Sequence, residues 1–231
     1  MSIANYIHPS TYESLSDQEI SVVQQVHDFA EKYFQNPCFD ASHDFDHVKR
    51  VVKNAIAILT REENSRKQKA LPALDPLSVI LGALLHDVED KKYISAVDDN
   101  SPLKRAIVDA GMSLEYAAQI QLLVEGVSYS SEIRDPQRVR NLIVAIPELA
   151  IVQDADRLDA IGAIGIGRCF TFGGAKGARS LQDSIQHFED KLVKLEGMMK
   201  TEAGKAMAEE RSRRIREFMA WWQTEVDSSN Q

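Results

Sequence analysis

The sequence contains few cysteines and no long apolar run, and each absence narrows the class of protein. Its two cysteines among 231 residues, Cys38 and Cys169, are too few for a disulfide framework, so we expect free thiols in a reducing compartment. No stretch of about 18 apolar residues occurs, which argues against a membrane span. The N-terminus does not combine a basic segment with an apolar one, as a secretory signal would. These absences predict a cytoplasmic protein, with the nucleus as the alternative and no membrane partner.

Basic residues are also in deficit. The chain has 27 lysines and arginines against 35 aspartates and glutamates, which gives a formal net charge of −8. Binding along a nucleic-acid backbone needs a basic face that displaces counterions, so polymeric nucleic acid is not an expected partner. A small phosphorylated ligand is still compatible with this charge, because a few local cations outweigh a negative field at one site.

The hydrophobic pattern is helical along nearly the whole chain, with almost no period-2 alternation. Apolar spacing predicts helices at about 17–34, 44–63, 76–88, 102–110, 113–126, 137–166 with a break near Pro147, 180–200 and 203–226. Polar residues at 62–72 and glycines at 172–179 predict loops. The composition does not shift as it would at a domain boundary, so we predict an all-α fold with one domain over residues 1–231.

Three short segments on or beside apolar helices carry clusters of potential metal ligands, namely HDFDH (43–47), HD (86–87) and DAD (154–156). The helix predicted at 76–88 is apolar nearly all round, which is typical of a buried helix and makes the polar pair at its end conspicuous. Burying imidazole beside carboxylate costs several kcal/mol unless the groups are paired or bound to a metal. Each segment alone is more often a structural hydrogen-bonded pair, but the ordered set of three predicts a metal site.

The flanks of these segments resemble known motifs. HDFDHVKRV (43–51), LLHDVED (84–90) and DADRLDAIGAIGI (154–166) are similar to the motifs of the HD superfamily of metal-dependent phosphohydrolases, which is named for its His-Asp doublet. The resemblance spans about residues 20–200. It implies a compact helical bundle with its core motifs in that range and a C-terminal helical extension at about 201–226.

The resemblance also implies four metal ligands, which are His47, His86, Asp87 and Asp154. Two imidazoles with two carboxylates suit Mn²⁺, Fe²⁺, Zn²⁺, Co²⁺ or Ni²⁺ better than Mg²⁺. No histidine occurs between Asp87 and Asp154, whereas HD enzymes with two metals usually bring further histidines from this region. We therefore expect one divalent ion per chain, with Mn²⁺ as the first choice and Mg²⁺, Co²⁺, Ni²⁺, Zn²⁺ and Fe²⁺ as alternatives.

Two side chains beside the implied ligands are candidates for proton transfer. Asp90 follows Asp87 by three residues, so it projects to the same side if the helix continues. HD nucleotidases carry an acidic residue there, which makes Asp90 the candidate for activating water. His43 precedes His47 by four residues and resembles the leaving-group acid of related phosphodiesterases.

Four cations near the motifs are candidates for binding a substrate phosphate, namely Lys91, Lys92, Arg50 and Arg157. An arginine can hold phosphate through two N–H groups, whereas a lysine acts as a point charge. The alternative for the two arginines is an ion pair with a nearby aspartate, Asp46, Asp156 or Asp159. The alternative for the two lysines is a solvated loop position.

The expected function is hydrolysis of phosphoester or phosphoanhydride bonds in nucleoside or deoxynucleoside phosphates, including triphosphates, by metal-activated water. Two alternatives from other classes stay open. An HD-type iron oxygenase would need redox iron and usually more ligands, and a non-catalytic nucleotide-binding module would hold a structural metal. The expected partner is a small phosphorylated substrate, and a homodimer through the aromatic residues of the last helix (Phe218, Trp221 and Trp222) is compatible with the pattern.

Overall fold

The computed structural model describes residues 11, 14–37, 39, 41–88, 101–175, 177 and 179–228. Within these ranges the regular structure is helical, which confirms the all-α fold class, and no helix there is long and apolar enough to cross a bilayer. The α-helices are α1 (Asp17–Tyr33), α2 (Phe45–Gln68), α3 (Pro76–Leu85), α4 (Pro102–Asp109), α5 (Leu114–Val127), α6 (Tyr129–Arg134), α7 (Pro136–Ala145), α8 (Glu148–Asp159), α9 (Gly162–Ala175), α10 (Leu181–Asp190) and α11 (Glu202–Ser228). A 3₁₀ helix (Leu192–Met198) lies between α10 and α11.

Several boundaries differ from the sequence-based expectations. Helix α2 continues to Gln68, five residues beyond the predicted end, because the segment 62–68 is rich in glutamate, arginine and lysine, which favour helix. Polar composition alone therefore did not mark a loop. Helix α9 extends to Ala175, into the segment that was predicted to be a loop.

The predicted helix at 137–166 is three helices in the structure. The expected break lies at Pro147, between α7 and α8. A second break follows α8, where Gly162 has a φ of +74°, a conformation that glycine adopts far more readily than other residues. The predicted helix at 180–200 is also divided, since α10 ends at Asp190 and the 3₁₀ helix follows.

Helix α3 lies at the centre of the core. Every residue from Leu77 to Leu85 is buried, and the helix packs against α1, α2, α5 and α8, as its unbroken apolar sequence predicts. Its start is fixed by Pro76 in the first turn and by the Asp75 carboxylate, which accepts hydrogen bonds from two backbone N–H groups. The end of α3 therefore delivers His86 and Asp87 to the interior.

Helices α2 and α8 pack side by side and carry the other polar segments. Asp44 caps α2, because its Oδ1 accepts a hydrogen bond from the backbone N–H of His47 at 3.0 Å. Further along α2, Asn54 Nδ2 donates to the carbonyl oxygen of Ala155 at 3.2 Å. The bond from Asn54 therefore links α2 directly to the second half of α8.

Helix α11 supports this pair from the other side. Arg211 donates through Nη2 to Asn54 Oδ1 at 2.9 Å and through Nη1 to the carbonyl oxygen of Leu158. One half-buried guanidinium therefore joins α11 to both α2 and the C-terminal turn of α8.

Candidate metal centre

The end of α3 meets one face of α2 and one face of α8, and four polar side chains converge there. His47 Nε2 lies 3.0 Å from His86 Nε2. Asp87 Oδ2 is 3.4 Å from His47 Nε2 and 3.5 Å from His86 Nε2. Asp156 Oδ1 is 3.5 Å and 3.8 Å from the same two nitrogens. His47, His86 and Asp156 each offer a ligand atom within 4.8 Å of the others.

The hydrogen bonds of the two imidazoles fix which ring nitrogens carry protons. His47 Nδ1 lies 2.7 Å from Asp159 Oδ2, and His86 Nδ1 lies 2.8 Å from the carbonyl oxygen of Ala83. Both partners are acceptors only, so each Nδ1 is the donor and carries the proton. In neutral rings the two Nε2 lone pairs then face each other, which is unfavourable unless a cation lies between them.

The spacing of these nitrogens fits a metal ion. Two nitrogens that are each about 2.1 Å from one ion, at an angle of about 90°, are about 3.0 Å apart. Imidazole nitrogen and carboxylate oxygen together are a donor set suited to Mn²⁺, Fe²⁺, Co²⁺, Ni²⁺ or Zn²⁺. The residues present therefore fit the divalent ion that the fold implies.

The electrostatics of the cluster also favour a positive charge. Burial, the largest single effect on His86, lowers its pKa, but Asp87 and then Asp156 outweigh burial and raise the pKa to about 9. The pKa of Asp87 is held well below its usual value, because His86 and His47 overcome the effect of burial. Without a metal, a proton therefore occupies the position that the lone pairs share.

Asp154 does not join this cluster, contrary to the ligand set that the resemblance implied. Its carboxylate accepts hydrogen bonds from the backbone N–H groups of Lys200 and Thr201 and from Thr201 Oγ1. Two residues on an α-helix are about 200° apart around its axis, so Asp154 and Asp156 point in nearly opposite directions. The aspartate that completes the site is Asp156.

His43 is the other predicted residue that the structure brings to this region. It is half-buried, its ring centroid lies 6.2 Å from that of His47, and its Nδ1 is 2.7 Å from Ser42 Oγ. Phe172 from α9 packs against it at 5.7 Å between ring centroids. The candidates Asp90, Lys91 and Lys92 lie outside the described residues.

The two predicted phosphate-binding arginines are both in ion pairs. Arg50 binds Asp159, one of the alternatives expected from the sequence, and its side chain is 32% exposed. Arg157 is buried and pairs with Glu132, and it also donates to the carbonyl oxygen of Met198. Arg157 is thus a structural residue, since its guanidinium is directed into that buried ion pair.

Sequence reasoning missed Arg168 and the role of Asp159 as a shared partner. Arg168 Nη1 donates to Asp159 Oδ2 at 3.0 Å. Asp159 lies in the motif DADRLDAIGAIGI, three residues after Asp156, so helical spacing could have placed both on one face. Arg168 lies on α9, after the break at Gly162. Helical spacing counted along α8 therefore cannot predict that it reaches the site.

Comparisons with known proteins agree with this fold. YpgQ of Bacillus subtilis is 36% identical over 183 residues, which is 78% of this chain and 82% of YpgQ. The structure of YpgQ in complex with ADP matches with a TM-score of 0.63 and 26% identity over 90% of this chain and 96% of that chain. No family model matches the sequence.

Two further solved structures extend the comparison. A protein from Lactobacillus plantarum matches with a TM-score of 0.71 and 25% identity, over 93% of this chain and 99% of that one. An HD-superfamily hydrolase from Bacillus thuringiensis matches with a TM-score of 0.56 and 29% identity, over 89% and 96%. The chain thus shares its helical fold with a hydrolase of known class. The chain belongs to the HD superfamily of metal-dependent phosphohydrolases.

Proposed function

We propose that the protein hydrolyses phosphoester or phosphoanhydride bonds of nucleotides, with one divalent ion, Mn²⁺ by preference, held by His47, His86, Asp87 and Asp156. The observation that carries this proposal is the pair of Nε2 atoms 3.0 Å apart, with both Nδ1 protons already donated elsewhere. A merely structural pair of histidines would not need two further buried or partly buried carboxylates beside the shared Nε2 position. Here the lone pairs and two carboxylates are directed to one point.

The bound ion would polarise a phosphoryl oxygen and lower the pKa of a water molecule. The remaining steps fall to side chains of the chain itself. His43 is our candidate for protonating the leaving group, since it lies beside His47 and Ser42 Oγ holds its ring through Nδ1. Asp90, three residues after Asp87, is our candidate for orienting or deprotonating the attacking water, on the strength of the family resemblance.

Phosphate binding is assigned to the cations that remain compatible with it. Arg50 is partly exposed, and it lies one turn after His47 on α2. Lys91 and Lys92 follow the His-Asp doublet closely and complete the proposed set. The nucleotide as substrate class is supported by YpgQ, the relative whose structure was solved with ADP.

A hydrolysis panel tests the proposal. Nucleoside and deoxynucleoside mono-, di- and triphosphates would each be incubated with Mn²⁺, Mg²⁺, Co²⁺ or Ni²⁺, and the release of phosphate and of pyrophosphate measured. We expect release with Mn²⁺ from at least one class of nucleotide, and none after chelation or in His86→Ala. A metal-loaded protein that releases neither product across the panel would contradict the proposal. Two irons per chain in aerobically purified protein would favour an oxygenase instead.

A further inference from the structure

Asp159, the last residue of α8, binds side chains from two other helices. It is 1% exposed. Its Oδ2 accepts hydrogen bonds from His47 Nδ1 at 2.7 Å and from Arg168 Nη1 at 3.0 Å. Arg50 binds it side-on, with Nε 2.8 Å from Oδ1 and Nη2 3.1 Å from Oδ2. The carboxylate therefore joins α2, α8 and α9 at one point.

These four bonds fix the orientation of the carboxylate. A carboxylate has about four lone-pair positions, so Asp159 cannot rotate without losing a bond to a charged or ring donor. Arg168 also donates through Nε to the carbonyl oxygen of Ser42 at 2.7 Å. The same guanidinium thus anchors Asp159 and the segment that leads into α2.

The charge of Asp159 is fixed as well. Two guanidinium groups, those of Arg50 and Arg168, bind the carboxylate and favour its ionised form. An anionic acceptor that faces Nδ1 keeps the ring proton on that nitrogen. The lone pair of His47 is then on Nε2, the atom that faces His86 and Asp156.

We propose that Asp159, held by Arg50 and Arg168, is a positioning residue that fixes the tautomer and the ring orientation of His47 for binding a divalent cation. The inference rests on the proposed metal site. A purely structural ion-pair network would also join the three helices, but it would leave the metal affinity independent of Asp159. The contact with His47 Nδ1 is what makes the metal affinity depend on Asp159.

Asp159→Asn tests the coupling, because the introduced amide can present its NH₂ group to the ring and permit the other tautomer. The dissociation constant of Co²⁺ and its visible absorption would be measured at fixed pH in the full chain. We expect Co²⁺ binding to weaken roughly 10- to 100-fold, the usual effect of losing a partner of a metal-bound histidine. In Zn²⁺-loaded protein, ¹⁵N spectra should show the Nδ1 proton of His47 in the wild type and its loss or exchange in the variant.

Glu132→Gln is the matched control. Glu132 is also a largely buried carboxylate that bridges two cations, Arg157 and Lys200, but in the described part of the chain it forms no hydrogen bond or ion pair with His47, His86, Asp87 or Asp156. This variant should lose stability and keep its Co²⁺ affinity. If Asp159→Asn fails to fold, Arg168→Met, which leaves the pair of Asp159 with Arg50, should show a smaller loss of affinity.

The outcomes separate the two proposals. A folded Asp159→Asn protein with wild-type Co²⁺ affinity and an intact Nδ1 proton overturns the positioning role alone. A wild-type protein that binds Co²⁺ but hydrolyses no nucleotide overturns the proposed activity alone. A wild-type protein that binds no divalent ion overturns both.

Discussion

Two aspartates on α8, Asp154 and Asp156, lie two positions apart and bind different parts of the molecule. Asp154 is fully buried and binds the backbone at Lys200 and Thr201. Asp156 is partly exposed beside the two histidines. The sequence could not decide between them, because α8 is buried on nearly all sides, so no apolar stripe marks which face turns to the site. The packing of α8 against α2 and α11 determines which of its faces turns to the site.

Alanine at these two positions should have opposite effects. Asp154→Ala leaves two backbone N–H groups without their acceptor and should lower the free energy of unfolding by about 1–3 kcal/mol, with the metal stoichiometry retained. Asp156→Ala removes a carboxylate that lies beside both Nε2 atoms and should abolish tight metal binding, at little cost to the stability of the metal-free protein. Urea unfolding of the metal-free proteins and Co²⁺ titration measure both effects. Metal loss in Asp154→Ala, with binding kept in Asp156→Ala, would restore the original ligand assignment.

The protonation of His86 predicts how metal affinity depends on pH. The pKa of His86 is about 9 in the metal-free protein, and the ion must displace that proton to reach Nε2. Below pH 9 binding therefore releases a proton, and the affinity should fall about tenfold for each unit by which the pH is lowered between 8 and 7. Dissociation constants for Mn²⁺ across this interval provide the measurement. A constant affinity would mean that His86 is already neutral.

At the level of secondary structure, the corner between α8 and α9 holds Asp159 and Arg168 in reach of each other. Gly162 turns the chain with a positive φ. A side chain at Gly165 would overlap the carbonyl oxygen of Ala160, whereas Gly167 on the same helix has open space. The two glycines thus have different roles, although both lie in the short segment GAIGIG (162–167).

Alanine substitutions at Gly165 and Gly167 should change the stability of the protein in opposite directions. Gly165→Ala forces the backbone of the corner apart, so we expect it to destabilise the protein and to weaken metal binding through Asp159. Gly167→Ala should stabilise α9 by about 0.5–1 kcal/mol, the difference in helix propensity between the residues. Thermal unfolding with and without Co²⁺ distinguishes the two. Equal effects from both substitutions would show that the corner tolerates a side chain.

The same corner shows where sequence-based prediction of helices ends. Helix α3 could be predicted, because its apolar run is preceded by Asp75 and Pro76, which mark a helix start. The boundary between α8 and α9 could not, since the small residues around Gly162 fit inside a helix as well as between two. The 3₁₀ helix after Asp190 was missed for a similar reason, because its apolar residues keep a spacing that also suits an α-helix.

Across the whole molecule, three segments far apart in the chain meet on a core that is already filled by apolar side chains. His47, His86 and Asp156 come from three elements that pack against one another independently of any ion. The ordered motifs and the family resemblance predicted that these three segments converge, but with Asp154 rather than Asp156 as the residue from α8. The hydrophobic pattern by itself predicts only a helical protein, because it carries no information on which helices become neighbours.

Metal removal should therefore lower stability without unfolding the protein. We expect chelation to leave the helical circular dichroism unchanged, because the core does not depend on the ion. At an Mn²⁺ concentration about 100 times its Kd, the stabilisation is about 2.7 kcal/mol, or roughly 5–11 °C in Tm for a chain of this size. Thermal melts with Mn²⁺ and with chelator measure the shift, and Asp156→Ala should show none. Loss of helicity on chelation would assign the ion a structural role.

The tight packing of α3 fixes the position of the residues that follow it at the proposed metal site. A side chain at Gly82 would meet Leu123 Cδ2 at 2.7 Å and Val152 Cγ2 at 3.3 Å, and His86 follows only one turn later. A larger residue at Gly82 would displace α3, and His86 and Asp87, the two adjacent ligands of the proposed site, would shift together. We therefore expect that a library of variants selected for a changed metal preference contains substitutions at the buried apolar positions of α3. These should be as frequent as substitutions at the proposed ligands.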